Sequence, residues 1–286
     1  MMSTKEKLPL YGAHEFDIKY TAKFIKYPTG TMDIYCSNRR IFGPAGYELA
    51  DGSRPKDSRV FDPDWEPDEY QRDPEEDRLR SMRRARAKVR RLALANEFKY
   101  FVTLTLDPAK VDSHDGAAVV KKLNAWCSNA VQRHGLRYIL VPERHKKGGI
   151  HFHGFFNDAF PAVDSGTIRV PGIKKPRKPR SAAQRAEWLA AGGQVVYNLP
   201  GWTLGFTTAM ELYGEYPAAV AYVCKYIGKD GEKPAGRWYY SGGDLREPEV
   251  WYEDILYAEI VQKLGNDVYK FNVPGAEIVI MKNVLG

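Results

Sequence analysis

Two imidazoles set two residues apart, His151 and His153 in Gly-Gly-Ile-His-Phe-His-Gly, carry the sharpest chemical signal in the sequence. On a β-strand such residues share a face, so both rings project together while Ile150 and Phe152 turn toward a core. Neighbouring imidazole nitrogens suit a divalent cation. A harder oxygen ligand is at hand in Glu143, at the end of the preceding apolar run, if that run pairs with the histidine strand as a hairpin. Two nitrogens and one oxygen fit Mn²⁺ or Mg²⁺ with open water positions, with zinc as the alternative. A second constellation lies in Ala221-Tyr222-Val-Cys-Lys225-Tyr226-Ile-Gly-Lys229. Here Tyr222, Lys225, Tyr226 and Lys229 fall at i, i+3, i+4 and i+7, one helical stripe beside an apolar one of Val220, Val223, Cys224 and Ile227. A phenol is a weak nucleophile at neutral pH, but an adjacent ammonium and a polarised phosphate lower the barrier to its attack. Taken singly, each signal has a plainer reading: incidental histidines on a strand, a surface carboxylate, and an amphipathic helix with tyrosines at its core boundary.

The elements that must position these residues can be read around them. Asp73 as N-cap, Pro74 at the first helical position and three acidic residues in the first turn predict a helix over 74–96. Its apolar stripe is Ala85, Val89, Leu92 and Ala93, and its other side is rich in arginine and lysine, including Arg84, Lys88 and Arg91. That side is either a solvated basic face or a surface that tracks phosphates. KYFVTLTLDP alternates as a half-buried strand does, and a second helix over 116–134 turns Val120, Leu123, Cys127, Ala130 and Val131 inward and stops at Gly135. RYILVPE and IHFHGFF flank the polar turn RHKKGG and predict an antiparallel hairpin. The basic, proline-rich GIKKPRKPRS marks 157–193 as a loop insertion, and QVVYNLPGWTLGFTTAMELYG holds one or two strands before a short helix over 217–229.

Outside this region, segments around Pro28-Thr29-Gly30 read as a hairpin, residues 43–77 as an acidic irregular connector, and GRWYYSGG and AEIVIM as short strands. A net charge of +7 and 13% aromatic residues suit an anionic, stackable partner such as nucleic acid. Three cysteines without a CxxC pair disfavour a disulfide framework or thiolate zinc site and fit a reducing cytoplasm. No apolar run has the length of a membrane span, and the N-terminus lacks the apolar core of a signal peptide. The absence of a GxxxxGK[ST] loop argues against an intrinsic P-loop motor.

Taken in order, FVTLTLDP, HFHGFF and YVCKYIGK follow one another as the three motifs of rolling-circle initiators do. The chain resembles the HUH replication initiators over residues 82–243, looking closest to those of Microviridae-type phages and related bacterial phage and plasmid elements. That resemblance implies an α+β fold: a central antiparallel sheet of about five strands with helices on one face, a palm like that of RNA-recognition domains. It implies an N-terminal extension and acidic connector over 1–77, an endonuclease domain over 78–243 and a C-terminal extension over 244–286. His151, His153 and Glu143 become the ligands of Mn²⁺ or Mg²⁺, and Tyr222 the nucleophile with Lys225 as its lysine. Tyr226, followed by Lys229, matches the second tyrosine of two-tyrosine initiators. Thr103 and Thr105 lie in the motif that shapes the DNA-binding face, and Arg84, Lys88 and Arg91 are added as phosphate contacts. The implied activity is site-specific nicking and rejoining of a single-stranded DNA origin through a 5′-phosphotyrosine, in the cytoplasm of a bacterial host whose helicase and polymerase do the rest. A relaxase or transposase of the same superfamily, a non-catalytic nucleic-acid-binding module and a metal hydrolase using water stay open as alternatives, and the oligomeric state is undetermined.

Overall fold

The computed structural model describes residues 14–49, 73–173, 175–212, 216–229, 231–253, 269–273 and 276–285. The chain divides into two compact units, one of residues 73–247 and one that joins the two flanks, 1–72 and 248–286. In the flanking unit, β1 (His14–Lys26) and β2 (Thr31–Leu49) form the hairpin expected around Pro28-Thr29-Gly30. Of the connector expected over 43–77, residues 43–49 continue β2, and residues 50–72 lie outside the described residues.

The unit of residues 73–247 is α+β, built on a seven-stranded antiparallel sheet. Its helices and strands run in the order α1 (Pro74–Ala95), β3 (Tyr100–Leu106), α2 (Gly116–His134), β4 (Tyr138–Arg144), β5 (Ile150–Phe156), β6 (Val163–Arg169), α3 (Ala182–Ala190), β7 (Gln194–Asn198), β8 (Gly205–Glu211), α4 (Tyr216–Tyr226) and β9 (Tyr240–Gly242). Across the sheet the order is β6-β7-β8-β3-β5-β4-β9. β10 (Glu249–Glu253), β11 (Tyr269–Val273) and β12 (Ala276–Leu285) join β1 and β2 in the flanking unit's own five-stranded sheet. No helix among the described residues is long and apolar enough to cross a membrane.

Local chemistry accounts for the helix limits. The Asp73 carboxylate accepts from the Glu75 N–H and Pro74 opens α1, while Asp115 accepts from Ala117 and Ala118 at the start of α2 and Gly135 closes it in the left-handed region. The seven strands, two more than the expected five, come from places where the sequence signal is weak. The stretch expected to be one loop insertion holds β6 and α3 on either side of the basic proline run. In β6 the VDSGTIR pattern is mostly polar, and α3 buries no side chain, so neither shows the apolar periodicity by which elements are found. Lys174, in the middle of the basic run, lies outside the described residues.

The core forms between α2 and one face of the sheet, where Leu123, Trp126 and Cys127 meet Val102, Leu104, Leu140, Phe152 and Phe156. Burying one such side chain stabilises by about 1.5–3 kcal/mol. Because side chains alternate, this packing commits residues 101, 103, 105, 139, 141, 143, 151, 153 and 155 to the other face. Gly154 is required between the strands: a Cβ there would lie 1.8 Å from the Ile139 carbonyl oxygen.

Candidate functional site

Register builds the site. β4 pairs β5 with Glu143 opposite His151 and Val141 opposite His153, and β3 places Thr105 and Thr103 on the far side of the same two histidines. The Nε2 atoms of His151 and His153 lie 2.9 and 2.8 Å from one oxygen, Oε2 of Glu143. The three ligand atoms fall within 4.8 Å of one another, so the group can hold a metal ion. His153 and Glu143 are buried. The His153 Nδ1 lies 3.0 Å from the Thr103 hydroxyl, which fixes the ring so that Nε2 faces the carboxylate.

The electrostatics favour the ligand forms of these groups. Burial, with the neighbouring His151 adding to it, holds the His153 imidazole down at about 4 against the attraction of Glu143, so it is neutral near pH 7. Burial would raise the Glu143 carboxyl, but hydrogen bonds from Lys229 and His151 outweigh it and leave the group below its ordinary value, ionised. Two neutral imidazole nitrogens and a carboxylate oxygen are a donor set that fits a divalent cation.

α4 lies over this face and brings the tyrosines to the histidines. The Tyr226 ring stacks on His153 with centroids 4.0 Å apart, and its hydroxyl donates to the Tyr222 oxygen at 2.6 Å. Tyr222 is 49% exposed and meets Phe101 edge-on. Burial raises the Tyr226 phenol well above its ordinary value, and the hydrogen bond to Tyr222 and the Glu143 charge add to the rise. Tyr226 therefore keeps its proton, and the Tyr222 oxygen is the acceptor of the pair. A carboxylate–imidazole cluster with two phenols against it is a layout suited to phosphoryl-transfer chemistry at a metal.

Residues 99–231 match the family model of the replication-associated protein ORF2. They form a replication-associated domain of the rolling-circle initiator type. No curated protein and no solved structure matches the chain. The matched stretch of this replication domain runs from the start of β3 past the end of α4, so it includes both histidines, Glu143 and both tyrosines.

The other residues singled out in the sequence take different places around the replication domain. Lys229, just past the end of α4, pairs with Glu143 and sits over the Tyr226 ring at 5.3 Å. Lys225 is exposed, so the lysine drawn into the cluster is the one after Tyr226. Thr105 is exposed on the histidine face, while Thr103 is engaged with His153. On α1, Lys88 pairs with Glu247, Arg84 is exposed, and the buried Arg91 Nε finds no hydrogen-bond partner among the described residues.

One residue of that helix, not singled out in the sequence, reaches the site's frame. Arg86 donates from Nε and Nη2 to the Ile227 carbonyl at 3.1 and 2.7 Å, closing the C-terminal end of α4. Gly228 follows in the left-handed region, where a Cβ would lie 2.1 Å from the Met82 sulfur, so α1 can approach only a glycine. Six basic residues crowd α1 between positions 83 and 91, and nothing in their pattern distinguishes the one that caps another helix.

Proposed function

We propose that the replication domain nicks and rejoins single-stranded DNA at an origin, with Tyr222 as the first nucleophile and a divalent cation, Mn²⁺ or Mg²⁺, held by Glu143, His151 and His153. The observation that carries this reading is the hydrogen-bonded Tyr222–Tyr226 pair stacked against His153, itself one of three convergent ligand side chains.

A cation bound there supplies positive charge to the oxygens of the scissile phosphate. The chain's own residues do the remainder. Tyr222 attacks phosphorus, its oxygen forming a P–O bond as the bond to the 3′ oxygen breaks; the phenolic proton is lost and the leaving oxygen gains one. The products are a 5′-phosphotyrosine and a free 3′-OH, which a separate polymerase of the host can extend. The new ester keeps the transferred phosphodiester's energy, so a later 3′-OH can displace the tyrosine and rejoin the strand without ATP. Tyr226, hydrogen-bonded to Tyr222, is positioned to take the second turn. The ammonium of Lys229 holds Glu143 ionised, and Thr103 orients His153. Strand opening falls to supercoiling or a host helicase.

The test is incubation of the purified protein with single-stranded oligonucleotides tiled from its replicon, with Mn²⁺, resolved on a denaturing gel. A covalent protein–DNA band that EDTA abolishes, and that the Tyr222→Phe/Tyr226→Phe double variant lacks, is the expected result. Cleavage without an adduct would mean hydrolysis by water. Tight binding without cleavage across the tiling would mean a non-catalytic nucleic-acid-binding module.

A further inference from the structure

Beside the tyrosines, on the side away from Glu143, the unit of residues 73–247 encloses a cavity of about 500 Å³. Its floor is the histidine face of the sheet, with Phe101 and Thr103 on β3 and Thr208 and Met210 on β8, which pair directly across the two strands. One wall is Tyr222 and Tyr226. The other comes from the β6–β7 hairpin, where Arg169 and Gln194 are cross-strand partners and both line the space. Both are partly exposed, so they remain within reach of a ligand. The positive charge of Arg169 opposes the rise in the Tyr226 phenol, which agrees with a guanidinium facing the hydroxyl pair across the cavity.

The volume falls in the range of pockets that enclose small organic groups, and the lining is mixed in the way such pockets are. Phe101 and Met210 offer a flat apolar platform. Arg169 and Gln194 offer side-by-side N–H donors at one edge. An extruded nucleobase is held by that combination, with stacking on apolar side chains and hydrogen bonds to its edge. Arginine and glutamine are the side chains that donate to purine N7, alongside guanine O6 for the first and adenine N6 and N7 for the second. A pyrimidine has no N7, and its smaller ring would leave part of the space unfilled.

We infer that this cavity is a purine pocket, in which Arg169 and Gln194 read the base of a nucleotide flanking the scissile phosphate. The inference rests on the reading above that single-stranded DNA crosses this face, and it adds the element that chooses where the nick falls. That element is the inserted β6–β7 hairpin.

The test uses the full chain and a single-stranded substrate randomised one position at a time on both sides of the nick. Adduct formation is measured with Mn²⁺ and equilibrium affinity is measured separately in EDTA. For the wild type, one flanking position should prefer purine over pyrimidine by about tenfold or more, the scale of one good side-chain-to-base contact. Arg169→Ala and Gln194→Ala should each flatten the preference at that position alone while still forming adduct, at a lower rate. Thermal melting confirms that each variant is folded, and Arg169→Lys should restore only part of the preference, because it lacks the planar fork. Preference for a pyrimidine there, no preference anywhere, or an unchanged purine preference in both alanine variants would overturn the inference. If no adduct forms but a purine preference in EDTA is lost in the variants, the pocket stands and the nicking reading falls. If neither appears, both fall.

Discussion

At the scale of single residues, the two tyrosines are chemically unequal although the sequence presents them as near repeats, each with a lysine three positions on. Tyr226 is pressed on His153 and holds its proton, whereas Tyr222 is half exposed and accepts the hydrogen bond. Tyr222→Phe is therefore expected to lower adduct formation by more than about a hundredfold, the scale on which loss of a nucleophile is felt, and Tyr226→Phe by much less. Peptide mapping of the adduct checks this, and DNA found attached to Tyr226 in the wild type would reverse the order. Thr103 gives a second prediction at this scale. Thr103→Val keeps the shape but removes the group that fixes the His153 ring, so Mn²⁺ affinity by calorimetry should fall by about 10–100-fold with little loss of stability. An unchanged affinity would mean that packing against Tyr226 alone orients the ring. The histidines and Glu143 were legible because strand alternation and hairpin register are local rules. The role of Thr103 was not, because it depends on which strand lies on the other side of β5, and that pairing spans 50 residues.

At the scale of elements, α4 carries the tyrosines but is short, so its geometry depends on what grips its end. Isolated helices of its length are marginal, and most of their stability comes from tertiary contacts. α1 supplies the grip: Arg86 closes the Ile227 carbonyl between Tyr226 and Lys229, and Met82 packs on Gly228. Arg86→Ala should cost about 1.5–3 kcal/mol in urea unfolding, the range for hydrogen bonds to a charged group. It should also slow adduct formation by about tenfold at temperatures where the variant is folded. A rate equal to wild type in the folded variant would show that the clamp serves stability alone. α1 and α2 could be read from the sequence because caps and apolar stripes coincide in them. α3 and β6 could not, since their residues rest on the surface of the sheet and leave no buried periodicity.

At the scale of the whole molecule, the net charge of +7 sets a requirement that no single contact expresses. Much of the basic charge near the site is already engaged. Lys88 pairs with Glu247, Arg86 caps α4 and Lys229 neutralises Glu143, so none of these is a bare phosphate contact in the free protein. Arg84, Lys225 and Arg169 are more accessible, and a strand crossing the sheet face could be neutralised by only a few such groups. Binding to single-stranded DNA in EDTA should then weaken with salt along a shallow line. A slope of log K against log salt of about −2 to −3 is expected, from roughly 0.7 counterions released per phosphate neutralised at three or four contacts. Replacing Lys225 by Ala should reduce that slope by about 0.7 and leave the preference at the nick site unchanged, because a phosphate contact positions the strand without reading bases. Arg169→Ala should show the opposite balance, losing base preference with little change in slope. A slope near −7 in the wild type would mean that the basic face of α1 carries the strand after all, and that Lys88 exchanges Glu247 for phosphate when DNA arrives.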